Sequence, residues 1–423
     1  MDEALKLITL LIFAACYGLA ISRKFKLAYI GLLSAFLVLA LLLPTNALTP
    51  QQALNSVKWD VLGIYWGFMM LSIIFSDSGV PKQLARYILH RTRNEGVALL
   101  ALCGLTAFLS SLLENVGVIL IMAPIAIEVS RKTKSSLFLY LVAIAISSNM
   151  VTTVTMVADP PAIILASETG MSFLDFFWYQ GRIGLGIISA AGAIVGLITI
   201  YLMHFRKLKK KIHIGEERIE TNYIPTVVFI GGISALAINS YLGVGPGIIG
   251  FAVGVISLIL GRRIITKMIK EFDWNSFFFI IGIFVVIGAT EATGILGDFA
   301  GGIGRISLNN PIIGLTILIW VSVAFSSFMD NVPYTVLMIP VAKSLAVSLG
   351  MGGFAYPLLY GMILGTGIGG NITPVGATAN VFACGLLEKR GHKVKLIDFM
   401  KISLIPTILS VLAAQLLLML LWM

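Results

Sequence analysis

The sequence predicts an all-α polytopic membrane protein that is built as an inverted repeat. Hydrophobic residues make up 58% of the chain and charged residues only 12%, whereas soluble domains carry roughly 25% charged residues. Many apolar stretches have about the 20 residues that a helix needs to cross a bilayer. An acid–amide motif also occurs twice, as "SSLLENVGVILIMAP" at 110–124 and "SSFMDNVPYTVLMIP" at 326–340. We expect about 10 transmembrane helices, with about 11 as the alternative, plus two re-entrant helical hairpins and two discontinuous helices.

The spanning segments are expected to be helices because backbone polar groups in lipid must be satisfied within the segment. The sequence has no alternation of period two that would indicate a barrel. The first apolar segment is full length and is followed by basic residues, so we expect it to remain as a helix instead of being cleaved. The clearest predicted spans are residues 5–21, 27–43, 59–75, 179–201 and 404–422.

The basic residues indicate the orientation of these helices. The net charge is +10, and most of the 30 lysines and arginines fall in six short clusters. Cytoplasmic loops carry an excess of Lys and Arg, so this charge indicates topology and not a nucleic-acid-binding surface. We therefore expect a multi-pass protein of the cell (inner) membrane with its N-terminus outside. The clusters lie at 23–26, 82–93, 131–134, 206–218, 262–270 and 389–401.

Both copies of the acid–amide motif are expected at the turns of re-entrant hairpins. Basic clusters precede and follow the segment 97–130, so both of its ends are cytoplasmic and the chain must enter the membrane and return. By the same count both ends of the segment 311–348 lie outside. Glu114 and Asp330 would then reach into the membrane from opposite faces. Irregular backbone at that depth is tolerated only where protein or a wet cavity surrounds it.

The two halves of the chain align with each other. Trp59 pairs with Trp274 and Gly67 with Gly282 at one constant offset along the chain. Asn149 is paired with Asn371, with about four extra residues in the first copy before the two loops come back into register. Each half holds five crossings, an odd number, so the second copy enters the membrane with reversed orientation. Inverted repeats with broken helices are typical of secondary transporters, whose site lies near the midplane. We expect an N-terminal repeat at 1–204 with hairpin 97–130 and broken helix 136–168, a cytoplasmic linker at 205–222, and a C-terminal repeat at 223–423 with hairpin 311–348 and broken helix 354–388.

The breaks in the discontinuous helices carry polar residues and helix-start signals. Asp159 precedes two prolines, which is a strong start signal for a helix. Thr373 and Thr378 play similar parts in the second half, where Gly376 allows the backbone to approach a ligand closely. A half-helix that begins inside the membrane directs its N–H groups and the positive end of its dipole towards the cavity.

The tip acids are candidates for ion coupling. An ionised carboxylate at membrane depth costs about 2.5–3.5 kcal/mol, so it is normally paired, hydrated or functional. Our hypothesis is that Glu114 and Asp330 carry the coupling proton or help to coordinate Na⁺, with Asn115 and Asn331 supplying neutral oxygens. The alternative is that the acids cap helix ends at the hairpin turns. No cofactor is expected, and the coupling ion would be H⁺ or Na⁺.

Three segments resemble a known group of transporters: "SSFMDNVPYTVLMIP", "GGNITPVGATANV" and "ADPPAIILASETGMSFLDFF". They look like signatures of the ion transporter superfamily, in its branch of arsenite permeases, NhaD-type sodium–proton antiporters and citrate-transporter-like proteins. The resemblance implies a homodimeric permease with one site per chain and elevator-like alternation of access. The expected substrate-binding and coupling residues are Ser111, Glu114, Asn115, Asn149, Thr152, Asp159, Ser327, Asp330, Asn331, Asn371, Thr373, Gly376, Thr378 and Asn380.

The substrate expectation follows from a departure at the tips. Sodium-coupled dicarboxylate carriers of the superfamily have Ser-Asn-Thr at each tip, whereas this chain has Glu114 and Asp330 before the asparagines, and two carboxylates would repel citrate or succinate. We expect a proton-coupled antiporter that exports arsenite or a related anion or polar solute, or a Na⁺/H⁺ exchanger. A sodium-coupled importer of citrate, a dicarboxylate or another anion is the alternative, and a non-transporting membrane scaffold is a remote one.

No enzymatic role is expected. The sequence shows no nucleophile with its base, no metal-binding pair of histidines and no soluble catalytic domain. The expected partners are the lipid bilayer, a small inorganic or organic ion and a second copy of the chain. A separate ATPase subunit is left open.

Overall fold

Helices form nearly all of the regular structure in the computed structural model, which describes residues 3–22, 24–92, 94–212, 219–293 and 310–423. Arg23, Arg93 and the part of the predicted linker at 213–218 lie outside the described residues. The helices of the first half are α1 (Glu3–Ser22), α2 (Leu27–Leu42), α3 (Pro50–Ser56), α4 (Trp59–Asp77), α5 (Val80–Arg91), α6 (Glu95–Ser110), α7 (Asn115–Thr133), α8 (Leu137–Asn149), α9 (Pro160–Thr169) and α10 (Leu185–Met203).

The described part of the second half follows a similar order, with the short helix α12 added, and the stretch that corresponds to α5 lies outside the described residues. Its helices are α11 (Ile224–Ala237), α12 (Asn239–Leu242), α13 (Pro246–Leu260), α14 (Ile265–Glu271), α15 (Trp274–Ala292), α16 (Pro311–Ser326), α17 (Asn331–Ser348), α18 (Tyr356–Gly369), α19 (Thr378–Glu388) and α20 (Leu396–Trp422). Short 3₁₀ turns lie at Leu174–Phe176, Phe205–Lys207, Arg262–Ile264 and Gly370–Ile372, and strands β1 (Trp178–Tyr179) and β2 (Arg182–Ile183) form a small antiparallel hairpin.

The prediction of an all-α polytopic membrane protein is confirmed. Within the described ranges, five helices are long and apolar enough to cross a bilayer by themselves, and shorter apolar helices accompany them. The number of crossings stays a prediction. Two predicted spans begin elsewhere: α10 begins at Leu185 and not at residue 179, because the chain at Trp178–Ile183 turns through β1 and β2, and α20 begins at Leu396 and not at residue 404.

The packing of one helix pair agrees with the predicted inverted relation between the halves. Helix α10 packs against α20, its counterpart in the repeat. Gly192 lies beside Ser410, and the Trp422 indole N–H donates to the Ile183 carbonyl at 2.8 Å, so the two helices run antiparallel. Counterparts that meet across a two-fold axis in the membrane plane must run antiparallel, as inverted-repeat transporters require.

Helices α4 and α13 approach each other through glycines and run parallel. A Cβ built on Gly63 would lie 2.3 Å from the carbonyl oxygen of Gly247, and one built on Gly67 would lie 1.7 Å from that of Gly250. Small residues at helix interfaces in membranes let the backbones come this close. The pair α2 and α15 is the repeat image of this pair and also joins the two halves through glycines, with Gly31 against Gly282.

We expect Gly67→Ala to lower the melting temperature of the purified protein in detergent. The added methyl group would overlap the Gly250 carbonyl, and overpacking of this kind costs about 1–3 kcal/mol. Gly18→Ala in α1 is the matched control, because no heavy atom lies within 4 Å of its added Cβ. Equal melting temperatures for wild type and Gly67→Ala would contradict the packing of α4 on α13.

The helices form two groups that meet at the centre of the molecule. One group, here called the scaffold, consists of α1–α4, α11 and α13–α15, whose helices pack mainly on one another. The other, here called the site bundle, consists of the first hairpin (α6, α7), the second hairpin (α16, α17), the first broken helix (α8, α9), the second broken helix (α18, α19), α10 and α20.

Candidate functional site

Each hairpin turns at an acid that caps its second helix. The Glu114 carboxylate accepts a hydrogen bond from the backbone N–H of Gly117 at 3.0 Å, and the Asp330 carboxylate accepts one from the N–H of Val332 at 3.0 Å. The capping role considered for these acids is therefore present in both hairpins. Capping uses only part of each carboxylate's acceptor capacity, which leaves both groups able to bind a proton or a cation.

Serines hold the amide groups at the two tips. The Asn115 side-chain oxygen accepts a hydrogen bond from Ser148 at 3.0 Å, and Ser148 shares a second hydrogen bond with Ser110 at 2.7 Å. In the second hairpin the Asn331 side-chain oxygen accepts one from Ser326 at 2.7 Å. Each amide oxygen keeps one lone pair beyond this bond, whereas a carboxylate offers more free acceptor sites and a negative charge, so the carboxylates are the stronger candidate cation ligands.

A threonine from each broken helix fastens the neighbouring hairpin turn. The Thr155 hydroxyl donates to the carbonyl of Ser111, and the Thr373 hydroxyl donates to the carbonyl of Ser327. Ser111 and Ser327 are repeat counterparts, since each lies just before the tip acid of its own hairpin at the same distance along the chain. Three of these four residues were predicted from the sequence, and Thr155 was not.

The threonines also fix the alignment of the broken helices. The sequence separation between Thr155 and Thr373 equals that between Asp159 and Ala377. Asp159 and Ala377 have extended backbone and directly precede α9 and α19. The pairing of Asn149 with Asn371 has a larger sequence separation and stays a prediction, in which the extra residues of the first copy lie between Asn149 and Thr155. The sequence does contain a signal for this alignment, because a threonine lies at the same short distance before each helix-start position.

Three asparagines join the two broken helices behind the turns. The Asn149 amide donates to the side-chain oxygens of Asn371 at 3.1 Å and of Asn380 at 3.0 Å. Asn380 in turn donates to the carbonyls of Gly370 and Thr373, each at 3.0 Å. All three side chains are buried, so this cluster is a structural link between the halves.

A cavity of about 280 Å³ lies between the hairpin tips and the scaffold. Eight of the predicted site residues line it: Glu114, Asn115, Asn149, Asp159, Asp330, Asn331, Gly376 and Thr378. The other six lie behind its wall in the hydrogen-bonded framework: Ser111, Thr152, Ser327, Asn371, Thr373 and Asn380.

The cavity is strongly acidic. Three of its carboxyl groups were predicted, and the Asp159 carboxyl lies within electrostatic reach of Asp330 and Glu114. Two further acids, Glu271 and Asp273, come from the scaffold. No lysine, arginine or histidine is found among the described residues that line this cavity.

The acids do not form a ready metal cage in this conformation. Over the described ranges, no three His, Cys, Asp or Glu side chains lie close enough together to hold a metal ion. The Na⁺ site that the sequence suggested at Glu114, Asn115, Asp330 and Asn331 would need further closure, or the ion would keep water molecules as ligands. A carboxyl group in such a cavity can also take a proton, which needs no cage.

Comparisons with known proteins agree with this fold. The sequence profile described as "Citrate transporter" (CitMHS) matches residues 17–365. An uncharacterized transporter of Mycobacterium bovis is 24% identical over 415 residues, with 96% of each chain covered, and one of Synechocystis is 23% identical over 429 residues, covering 94% of this chain and 93% of its own. The crystal structure of the Alcanivorax borkumensis YdaH transporter superposes with a TM-score of 0.54 at 12% identity, covering 88% of this chain and 86% of that one. The chain therefore belongs to the citrate transporter family and is a multi-pass secondary transporter.

Proposed function

We propose that the protein exchanges protons for a small cation, with Na⁺ as the first candidate, at the acidic cavity between the hairpin tips. The observation that supports this proposal is the set of five carboxyl groups, Glu114, Asp159, Glu271, Asp273 and Asp330, with no basic side chain among the described lining residues. We place the protein in the inner membrane with its N-terminus outside, from the distribution of its basic residues.

The electrostatics of the cavity favour a cation over a free anion. Two unit charges about 4 Å apart interact by about 4 kcal/mol at the effective dielectric constant of a protein surface. Glu114, Asp159 and Asp330 lie close enough to affect one another, so they repel one another when ionised. Either a proton or a metal ion relieves this repulsion. Competition between the two for the same carboxyl groups is the physical basis of an exchanger.

An anion is the second candidate, because one feature of the cavity could bind it. Gly376, Ala377 and Thr378 line the cavity where α19 begins, and no side chain caps that helix start. Uncapped helix N-termini bind oxyanions. The family profile that matches this chain is described as that of a citrate transporter. Such an anion would have to enter together with cations or protons that neutralise the acids.

Proton flux in reconstituted vesicles tests the proposal. The purified protein is placed in liposomes that contain a pH-sensitive dye, and Na⁺, arsenite and citrate are added in turn. We expect Na⁺ alone to drive proton movement in protein-containing vesicles and not in empty liposomes. Proton movement that depends on citrate or arsenite, with no response to Na⁺ alone, would replace the cation exchanger by the corresponding anion or solute carrier.

A further inference from the structure

The scaffold walls of two separate cavities are repeat images of each other. One is the acidic cavity. The other has a volume of about 390 Å³ and lies among α3, α9, α15 and α17. The repeat offset that relates Trp59 to Trp274 also relates scaffold residues of the two cavities. Five residues that line the acidic cavity correspond in this way to five that line the second cavity: Met69 to Phe284, Ser72 to Ile287, Ile73 to Gly288, Glu271 to Ser56, and Asp273 to Lys58.

One of these pairs has opposite charges at the same structural position. Asp273 directly precedes Trp274 at the start of α15, and Lys58 directly precedes Trp59 at the start of α4. Asp273 caps its helix by accepting a hydrogen bond from the N–H of Ser276 at 3.0 Å. The scaffold therefore presents two carboxyl groups, Glu271 and Asp273, to the acidic cavity. To the other cavity it presents the ammonium group of Lys58 and one carboxyl group, Glu291.

In the observed conformation the transport site faces Asp273. Glu114, Asp159 and Asp330 line the acidic cavity, and none of them is among the described residues around the second cavity. Lys58 instead contacts the site bundle through an ion pair. It forms an ion pair with Glu168 of α9 at 3.0 Å, and Glu168 also pairs with Lys343 of α17 at 2.7 Å.

Inverted-repeat transporters alternate access by moving one group of helices against the other around the binding site. The exchanged conformation is then the repeat image of the observed one, with the site opposite Lys58 and with the Lys58–Glu168 ion pair broken. We propose that Asp273 and Lys58 set the cation affinity of the same site on its two faces, high towards Asp273 and low towards Lys58. This inference rests on the proposed cation exchange.

The affinity difference does not change the accumulation ratio at equilibrium. In a closed cycle, a cation that binds more tightly in one conformation also shifts the loaded protein towards that conformation by the same factor. The opposite charges therefore affect the apparent KM at each face. They do not change the coupling ratio.

The test measures the KM for Na⁺ of Na⁺-driven proton flux at each face, in right-side-out and in everted membrane vesicles. Asp273→Asn keeps a helix-capping side chain, and we expect it to raise the KM at the Asp273 face on the order of tenfold, within the usual range for coupled sites. Lys58→Gln should lower the KM at the opposite face by a similar factor. Asp77→Asn is the control: Asp77 is a scaffold acid outside both cavities, paired with Lys267 at 2.7 Å.

Glu168→Gln separates the charge of Lys58 from its ion pair. Both Lys58→Gln and Glu168→Gln break the pair, but only Glu168→Gln keeps the Lys58 charge. The pair is already broken when the site faces Lys58, so Glu168→Gln acts there only by removing the cost of breaking it. We expect the KM at the Lys58 face to fall clearly further in Lys58→Gln than in Glu168→Gln, because only Lys58→Gln also removes the repelling charge. An equal fall in the two variants, an unchanged KM in Asp273→Asn, or an equal shift in Asp77→Asn would overturn the inference. Absence of Na⁺-driven flux in the wild type would instead overturn the proposed function, and the inference with it.

Discussion

Replacement of either tip acid by its amide, Glu114→Gln or Asp330→Asn, should lower Na⁺-driven proton flux on the order of 100-fold, as expected for the loss of a positioned proton-transfer group. An amide cannot bind and release a proton near neutral pH, and it gives a cation a weaker ligand than a carboxylate does. The measurement is dye-reported proton flux in proteoliposomes of equal protein content.

Both variants should remain folded. Asn is as good a helix cap as Asp, so Asp330→Asn keeps the hydrogen bond to the N–H of Val332. The matched control is Glu128→Gln, because Glu128 lies on the same helix as the Glu114 tip but pairs with Arg86 and Lys132 away from the cavity. Flux near the wild-type rate in both tip variants would show that the acids only cap their helices.

The hairpins could be located from the sequence because two independent signals coincide there. Basic clusters on both sides of residues 97–130 require the chain to return to the face it came from. The repeat then places a second acid–amide pair, Asp330 and Asn331, at the position that corresponds to Glu114 and Asn115. The structure brings both pairs to one cavity.

The scaffold acids could not be assigned to the cavity from the sequence. Glu271 and Asp273 follow the basic cluster at 262–270, and an acid in that context is typical of a solvated loop. Their place in the cavity wall depends on how the scaffold packs against the hairpins. That packing arises from long-range contacts, which charge and hydropathy patterns do not report.

The alignment of the broken helices also needed the structure. Asparagines stand out in apolar sequence, which favours pairing Asn149 with Asn371. The structure shows that these two asparagines contact each other directly. It adds a further equivalent pair, Thr155 and Thr373, each of which binds the carbonyl of a hairpin turn.

The asparagine cluster leads to a second large expected effect. Asn149→Leu should lower the free energy of unfolding by roughly 2–6 kcal/mol, because the side-chain oxygens of Asn371 and Asn380 would both lose the donor that Asn149 provides, and each buried unpaired group costs about 1–3 kcal/mol. Transport should be lost as well, since the cluster holds the two broken helices together beneath the cavity.

The matched control for Asn149→Leu is Thr152→Val, which removes an equally buried hydroxyl whose hydrogen bond goes to the carbonyl of Asn149 within the same turn. That bond does not join the halves, so Thr152→Val should change stability by about 1 kcal/mol, the usual worth of a single hydrogen bond. Thermal unfolding in detergent and flux in proteoliposomes measure the two effects. If Asn149→Leu were no less stable than Thr152→Val, the cluster would not be the link between the broken helices.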